Sequence, residues 1–478
     1  MRSCMLVLGL LVACTEEARP PNLILVSIDG LRADRTGIGG NPNAPSPVLD
    51  RLASEGVWFS QAFSQSNESL YSHSSLFTGR YVSELAAADY RTFVLPDEAL
   101  LLGEVLGLYG YSTAAFVAGG HVRAEYGFDQ GTSVFDDSYD FGTFFHKVPQ
   151  ALDWIEDQAR EPYFLILHGY DCHRPYLHGG PWSHAYGSDY NGRVDRLLAS
   201  RRSTEKVYNG VYYPDFPLNH FFHQGGDRIL DPEGYRRINT WTSAKGVPLK
   251  EDDIEHLRDH YDGGVLAADL QIGRFLSELE QLDKLDNTVV ILTSDHGEDL
   301  HDHGYFNHRT NLVDSTTKVP LVIWGTDAVG RRDDLASAID VVPTMLALAG
   351  AKPPAELRGR DLLADVAPAE IVFQEGVLGQ ISARTATHRL TFSGFSLTFP
   401  HYALALEAAV LSSGHFELYD LRSDPKELQN VVTEQPKVAE QLRGELLQWR
   451  RGMVQSDFRG EQPTDPALKA ILKARGYW

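Results

Sequence analysis

The sequence predicts an α/β fold built on a large, mostly parallel central sheet flanked by helices. Three observations predict it. Two apolar runs, Asn22-Leu23-Ile24-Leu25-Val26-Ser27-Ile28 and Thr288-Val289-Val290-Ile291-Leu292-Thr293, read as buried strands. Each runs into an acidic turn, Asp29-Gly30 in the first and Ser294-Asp295-His296-Gly297-Glu298 in the second, the place where open α/β sheets bind ligands. Between them, strand-like runs alternate with helix-like ones.

Taken in order, Met1-Arg2-Ser3 is positive and Cys4 to Val12 is apolar but too short to span a bilayer. Leu11-Val12-Ala13-Cys14 resembles the bacterial lipobox, whose cysteine is lipidated and becomes the mature N-terminus. A signal peptide over 1–14 and a polar tether over 15–21 are expected, with acyl chains on Cys14 anchoring an exported lipoprotein at the periplasmic or cell-surface side of a membrane. The alternative is a plain cleaved signal with Cys14 incidental.

Ser46 to Ala53 has the Ser-Pro start and apolar spacing of a helix, and Gly56-Val57-Trp58-Phe59 resumes as strand. Asn67 to Arg80 is a polar turn leading into a helix. Ser69 falls near its start, where free N–H groups and the dipole favour an alkoxide or a bound anion, although a serine there is more commonly an N-cap. Leu101 to Leu108 reads as helix, Tyr111 to Val117 and Tyr163 to His168 as strands, the latter ending in Gly169-Tyr170-Asp171-Cys172-His173.

Residues 177–247 are rich in Gly, Tyr, Trp, Asn and His and lack long periodic runs, so they are expected to form a variable insertion that selects substrate. Leu249 to Leu282 has helical spacing broken at Gly263-Gly264. Leu321 to Trp324 closes the core, and Ala336 to Leu348 reads as an amphipathic helix. Beyond Gly350 come short strands (370–374, 383–392, 416–421) and a helix over 437–450. The expected division is a catalytic domain over 22–350 and a smaller subdomain and tail over 351–478.

The 478 residues carry 65 acidic against 43 basic side chains, a formal charge of -22. Such a body repels nucleic acid, which is not an expected partner. An anionic substrate needs a locally positive pocket made by metal, Arg, His or helix N-termini. Strands lying side by side would aim Asp29 and Asp295 at one divalent cation, although Asp-Gly and Asp-His-Gly are also ordinary turn chemistry.

The motifs also fall in the order and spacing of a known family. Asp29-Gly30-Leu31-Arg32-Ala33-Asp34, Ser69 to Thr78-Gly79-Arg80, His173-Arg174-Pro175-Tyr176, Tyr261-Asp262-Gly263 with Asp269, Ser294 to Glu298, Val319-Pro320-Leu321, Asp340 to Thr344 and Leu418-Tyr419-Asp420-Leu421 resemble the sulfatase family of the alkaline-phosphatase superfamily. The resemblance runs from residue 22 to about 450. It implies an alkaline-phosphatase-like sheet with a small C-terminal antiparallel sheet plus helix.

The resemblance also implies a site. One divalent metal (Ca, Mn or Zn) would be held by Asp29, Asp295 and His296, with Gly30 standing where relatives often place a second aspartate. Position 69 would be the nucleophile, His173 a general-acid position, and His308 and Arg309 partners of a nonbridging ester oxygen. The chain departs from the family motif Cys/Ser-x-Pro-x-Arg: Tyr71 and His73 replace its Pro and Arg. An unmodified Ser69 is therefore the simpler expectation than formylglycine, with His73 in the catalytic set. Ala118-Gly119-Gly120-His121 likewise lacks the lysine of Gly-Lys-Trp-His.

Three readings follow. The first is hydrolysis of small sulfate esters. The second is hydrolysis of phosphate mono- or diesters or phosphonates by unmodified Ser69. The third is an inactive binding lipoprotein. Sulfated or phosphorylated sugars, aryl groups and lipid head groups are the substrate classes considered.

Overall fold

The computed structural model describes residues 19–85, 93–139, 141–174, 176, 182, 184–187, 189–192, 206–208, 211–213, 249–377, 379–393 and 415–455. Cys14, the expected signal peptide and most of the 177–247 insertion lie outside them. Among the described residues no helix is long and apolar enough to cross a membrane.

The strands are β1 (Asn22–Ile28), β2 (Val57–Phe63), β3 (Ser112–Phe116), β4 (Val134–Asp136), β5 (Tyr163–Gly169), β6 (Lys206–Tyr208), β7 (Val211–Tyr213) and β8 (Thr288–Thr293). They continue with β9 (Asp299–Leu300), β10 (Phe306–Asn307), β11 (Leu321–Trp324), β12 (Gly330–Ser337), β13 (Ile371–Glu375), β14 (Gln380–Thr385), β15 (His388–Ser393) and β16 (His415–Asp420). Eight form the main sheet in the order β12-β2-β11-β8-β1-β5-β3-β4. Only β11 runs antiparallel to its neighbours there, so the expected mostly parallel α/β class is the one observed.

β1 and β8 are buried at every position, which is why both read as unbroken apolar runs rather than alternating ones. One apolar layer carries Leu23, Leu25, Val289 and Ile291 on one face of the sheet; the other carries Ile24, Val26, Val290 and Leu292. Helices α1 (Pro47–Glu55), α2 (Ser69–Thr78), α3 (Leu102–Leu108), α4 (Phe144–Asp157), α5 (Glu251–Gln281) and α6 (Val341–Leu348) cover the two faces.

β13 to β16 form a separate antiparallel sheet, braced by α7 (Pro436–Gln455) through Trp449. It meets the main sheet beside α2: Gln374 Nε2 donates to the Ser64 carbonyl, and the Glu375 backbone N–H to that of Gln65.

Four local expectations are corrected. α5 runs unbroken through Gly263-Gly264; a Cβ at Gly264 would stand 2.3 Å from the Asp171 carbonyl oxygen, so this glycine permits close packing instead of ending the helix. Residues 336 and 337 extend β12 alongside Ala62 and Phe63 before α6 begins. The run 383–392 is a hairpin, turned where Thr385 Oγ1 accepts from the Thr387 and His388 backbone N–H groups. The N-cap of α2 is Glu68, not Ser69.

Asp269, on α5, accepts from the Val48 and Leu49 N–H groups at the first turn of α1, each at 2.8 Å. Burial outweighs these bonds and pushes its carboxyl up to about 7 from an ordinary 3.8. A raised folded value means stability present below the unfolded value and lost as pH rises through the folded one. The free energy of unfolding is therefore expected to fall as pH rises from about 4 to about 7, by no more than about 4 kcal/mol from this group. Urea titrations of Asp269→Asn should show a shallower slope over that interval.

Candidate active site

β1 and β8 place the first carboxylates. Ser27 pairs with Thr293 in parallel register, so Asp29 and Asp295 emerge two residues later from adjacent strand ends. The Gly30 N–H, at φ 75°, donates to Asp295 Oδ1 at 3.1 Å. His296 Nε2 lies 3.4 Å from Asp295 Oδ2 and 3.8 Å from Asp29 Oδ1. Its Nδ1 donates to the Gly297 carbonyl at 2.7 Å, which leaves the Nε2 lone pair facing the carboxylates.

The three side chains are fully buried, and one ligand atom from each lies within 4.8 Å of the others. Among the described residues, Asp29 Oδ1 and Asp295 Oδ2 are buried without a hydrogen-bond partner. Burial, and then the neighbouring Asp295 carboxylate, push Asp29 well above the ordinary range. Two orphaned carboxylate oxygens beside an imidazole lone pair are a donor set that fits a divalent cation, whose charge offsets the cost of burying them.

Ser69 opens α2, with its Oγ 3.2 Å from His296 Nε2. Glu68 sets this geometry. Its Oε2 accepts from the Leu70 N–H at 3.0 Å; its Oε1 receives Arg309 Nη2 at 2.8 Å and His121 Nδ1 at 2.7 Å. Arg309 is therefore joined to the turn that carries Ser69.

His73 lies under that turn. Its Nδ1 donates to the Ser69 carbonyl at 2.9 Å, and its Nε2 accepts from Ser27 Oγ at 3.0 Å. His168 Nδ1 accepts from the Ala118 N–H, so its Nε2–H donates to Asp29 Oδ2 at 3.4 Å. Burial pushes both imidazoles down, which keeps them neutral. Asp29, His73 and His168 are close enough to suggest a metal group, but these ring nitrogens already serve hydrogen bonds.

A second wall is formed by His173, Glu298 and His308, all buried. His173 Nδ1 donates to the Arg174 carbonyl at 2.6 Å, and its Nε2 lies 3.9 Å from Asp29 Oδ1. His308 Nδ1 stands 3.3 Å from both Glu298 oxygens, and its ring stacks on His296 at 4.3 Å. Burial pushes Glu298 up to about 8 and His308 well down.

The structure thus gathers Asp29, Ser69, Asp295, His296, His173 and His308 around one centre, holds Arg309 through Glu68, and sets His73 beneath. Sequence reasoning assigned no role to Glu68 or His168. A glutamate directly before the serine of a helix start was the available signal for the first; the second shows only in the register of β5 with β1.

Comparison with known proteins gives a consistent picture. A family model described as Sulfatase matches residues 21–351, and one described as N-sulphoglucosamine sulphohydrolase, C-terminal, matches 301–452. An arylsulfatase of Clostridium perfringens is 24% identical over 450 residues, covering 86% of this chain and 90% of that protein. An N-acetylglucosamine-6-O-sulfatase of Bacteroides thetaiotaomicron is 24% identical, covering 87% and 83%. A structure solved in complex with its substrate D-glucosamine-2-N,6-O-disulfate superposes with a TM-score of 0.67 at 19% identity, covering 93% of this chain and 100% of that one. The phosphonate monoester hydrolase of Agrobacterium radiobacter superposes at 0.64 and 18%, covering 91% and 96%.

Proposed function

The chain belongs to the sulfatase family, and from that premise we propose that it hydrolyses a sulfate ester of a small substrate by attack of Ser69. The observation that carries the proposal is the 3.2 Å approach of Ser69 Oγ to His296 Nε2, inside the Asp29, Asp295 and His296 cluster. A divalent cation held by those three residues would lower the pKa of the serine hydroxyl and draw charge from the ester oxygens. Two carboxylates and an imidazole suit zinc or manganese, and calcium less well.

The chain's own residues do the rest. Asp29 is held by His168, Asp295 by the Gly30 N–H, and His296 by the Gly297 carbonyl. Position 69 stands at a helix N-terminus, where the dipole favours negative charge. Glu68 fixes both that N-terminus and Arg309, whose guanidinium pairs with an ester oxygen. Ser69 Oγ bonds to sulfur as the sulfur–oxygen bond to the leaving alcohol breaks, the Ser69 hydroxyl proton ending on that alcohol; water then attacks the sulfur and releases the sulfate, one of its protons returning to Ser69 Oγ.

A sulfated sugar is the substrate class that the relatives' names favour. Export and anchoring through Cys14 form part of the reading, supported by Leu11-Val12-Ala13-Cys14. A second reading, phosphate or phosphonate cleavage, is favoured by one feature: His73, which supports Ser69 from below, stands where the modification motif has arginine.

The test compares turnover of an aryl sulfate and an aryl phosphate by the purified protein with Zn²⁺ or Mn²⁺ added back. Higher kcat/KM on the sulfate is expected. Turnover of the phosphate alone would overturn the sulfatase reading in favour of the second.

A further inference from the structure

We propose that His173, Glu298 and His308 form a second divalent-cation site beside the first. The proposal deepens the function above, and it rests on that reading only in taking Asp29, Asp295 and His296 as the first site. One ligand atom from each of the three residues lies within 4.8 Å of the others, and all three side chains are buried. Ligands at about 2.0–2.1 Å from a tetrahedral ion stand about 3.3 Å apart. The contact of His308 Nδ1 with each Glu298 oxygen is 3.3 Å, so this pair already has the spacing of two ligands.

In a neutral His173 the Arg174 carbonyl takes the Nδ1 proton, so Nε2 would be its ligand atom. That nitrogen lies 3.9 Å from Asp29 Oδ1, and His308 stacks on His296, so the two sites share a wall. Two imidazoles and one carboxylate suit Zn²⁺ or another borderline transition cation, with coordination positions left for water or an ester oxygen.

Charge supports the same assignment. Among the described residues, the buried carboxylates Asp29, Glu68, Asp295 and Glu298 face the guanidinium groups of Arg174 and Arg309, while Arg32, which also acts on Glu298, is balanced by its own partners Asp34 and Asp302. One divalent cation brings that set to neutrality; a second leaves it positive toward an anionic ester. The cationic side chains missing at His73 and Gly119 would be replaced by an ion.

The experiment is zinc stoichiometry by elemental mass spectrometry. The protein is stripped with chelator, reloaded with Zn²⁺ and desalted, and the melting of every variant is checked. Two equivalents are expected for the wild type, one for His308→Ala and for the milder Glu298→Gln, and one for Asp295→Asn. One equivalent in the wild type, kept by His308→Ala and lost by Asp295→Asn, would overturn the second site and leave the first standing. Two equivalents in the wild type and in both His308→Ala and Glu298→Gln would also overturn it. A wild type that binds no zinc would remove both sites. If His308→Ala does not fold, Glu298→Gln carries the decision.

Discussion

Ser69→Ala is expected to lower kcat on the preferred ester by about 10³-fold or more, with little change in fold or cation binding. The substitution removes one oxygen, which no other side chain in the cluster replaces as a nucleophile. The backbone of α2 is fixed independently: Glu68 caps Leu70, and Leu70, Tyr71, Leu76 and Phe77 pack into the main apolar layer. The Ser69 carbonyl, which receives His73 Nδ1–H, remains in the variant. Kinetics on aryl esters, read beside the thermal melt, check this. A variant that retains turnover within about tenfold would mean that another group attacks.

Asp295→Asn is expected to weaken cation affinity at the first site by about 10²-fold or more, and activity with it. The physical argument also predicts a gain. Asp29 and Asp295 are buried like charges whose proximity raises Asp29. Replacing one by a neutral amide removes that repulsion and keeps an oxygen for the Gly30 N–H. The cation-free variant should therefore melt no lower than the cation-free wild type, whereas added cation should stabilise the wild type alone. Differential scanning with and without chelator separates the two effects. A variant that melts well below the stripped wild type would show that Asp295 serves packing rather than metal binding.

Much of this centre was legible because its carriers are simple. β1 and β8 are unbroken apolar runs, and a carboxylate directly after a buried strand has few places to go but the carboxyl edge of the sheet. Ser69 was legible as a helix start. Its neighbour was not, because an N-cap is ordinarily Ser, Thr, Asp or Asn, which made the serine the natural candidate and hid Glu68.

The remaining misreadings have a common cause. Gly263-Gly264 looks like a helix break until the Asp171 backbone is seen lying against it, and 383–392 looks like one strand because no Gly or Pro marks the Thr385 turn. His168 and the buried cluster joining Asp314, Arg384, Arg389 and Glu427 depend on pairings between distant segments. Spacing along one segment carries no trace of such contacts.

The central claim is that segments around residues 29, 69 and 295 converge on one cation. Anomalous diffraction from crystals grown with Mn²⁺ or Zn²⁺ tests it directly. The account predicts a peak about 2.0–2.4 Å from carboxylate oxygens of Asp29 and Asp295 and from His296 Nε2, with Ser69 Oγ facing it. A map that is flat there at saturating cation, with Asp29 and Asp295 hydrogen-bonded to protein or water instead, would contradict it.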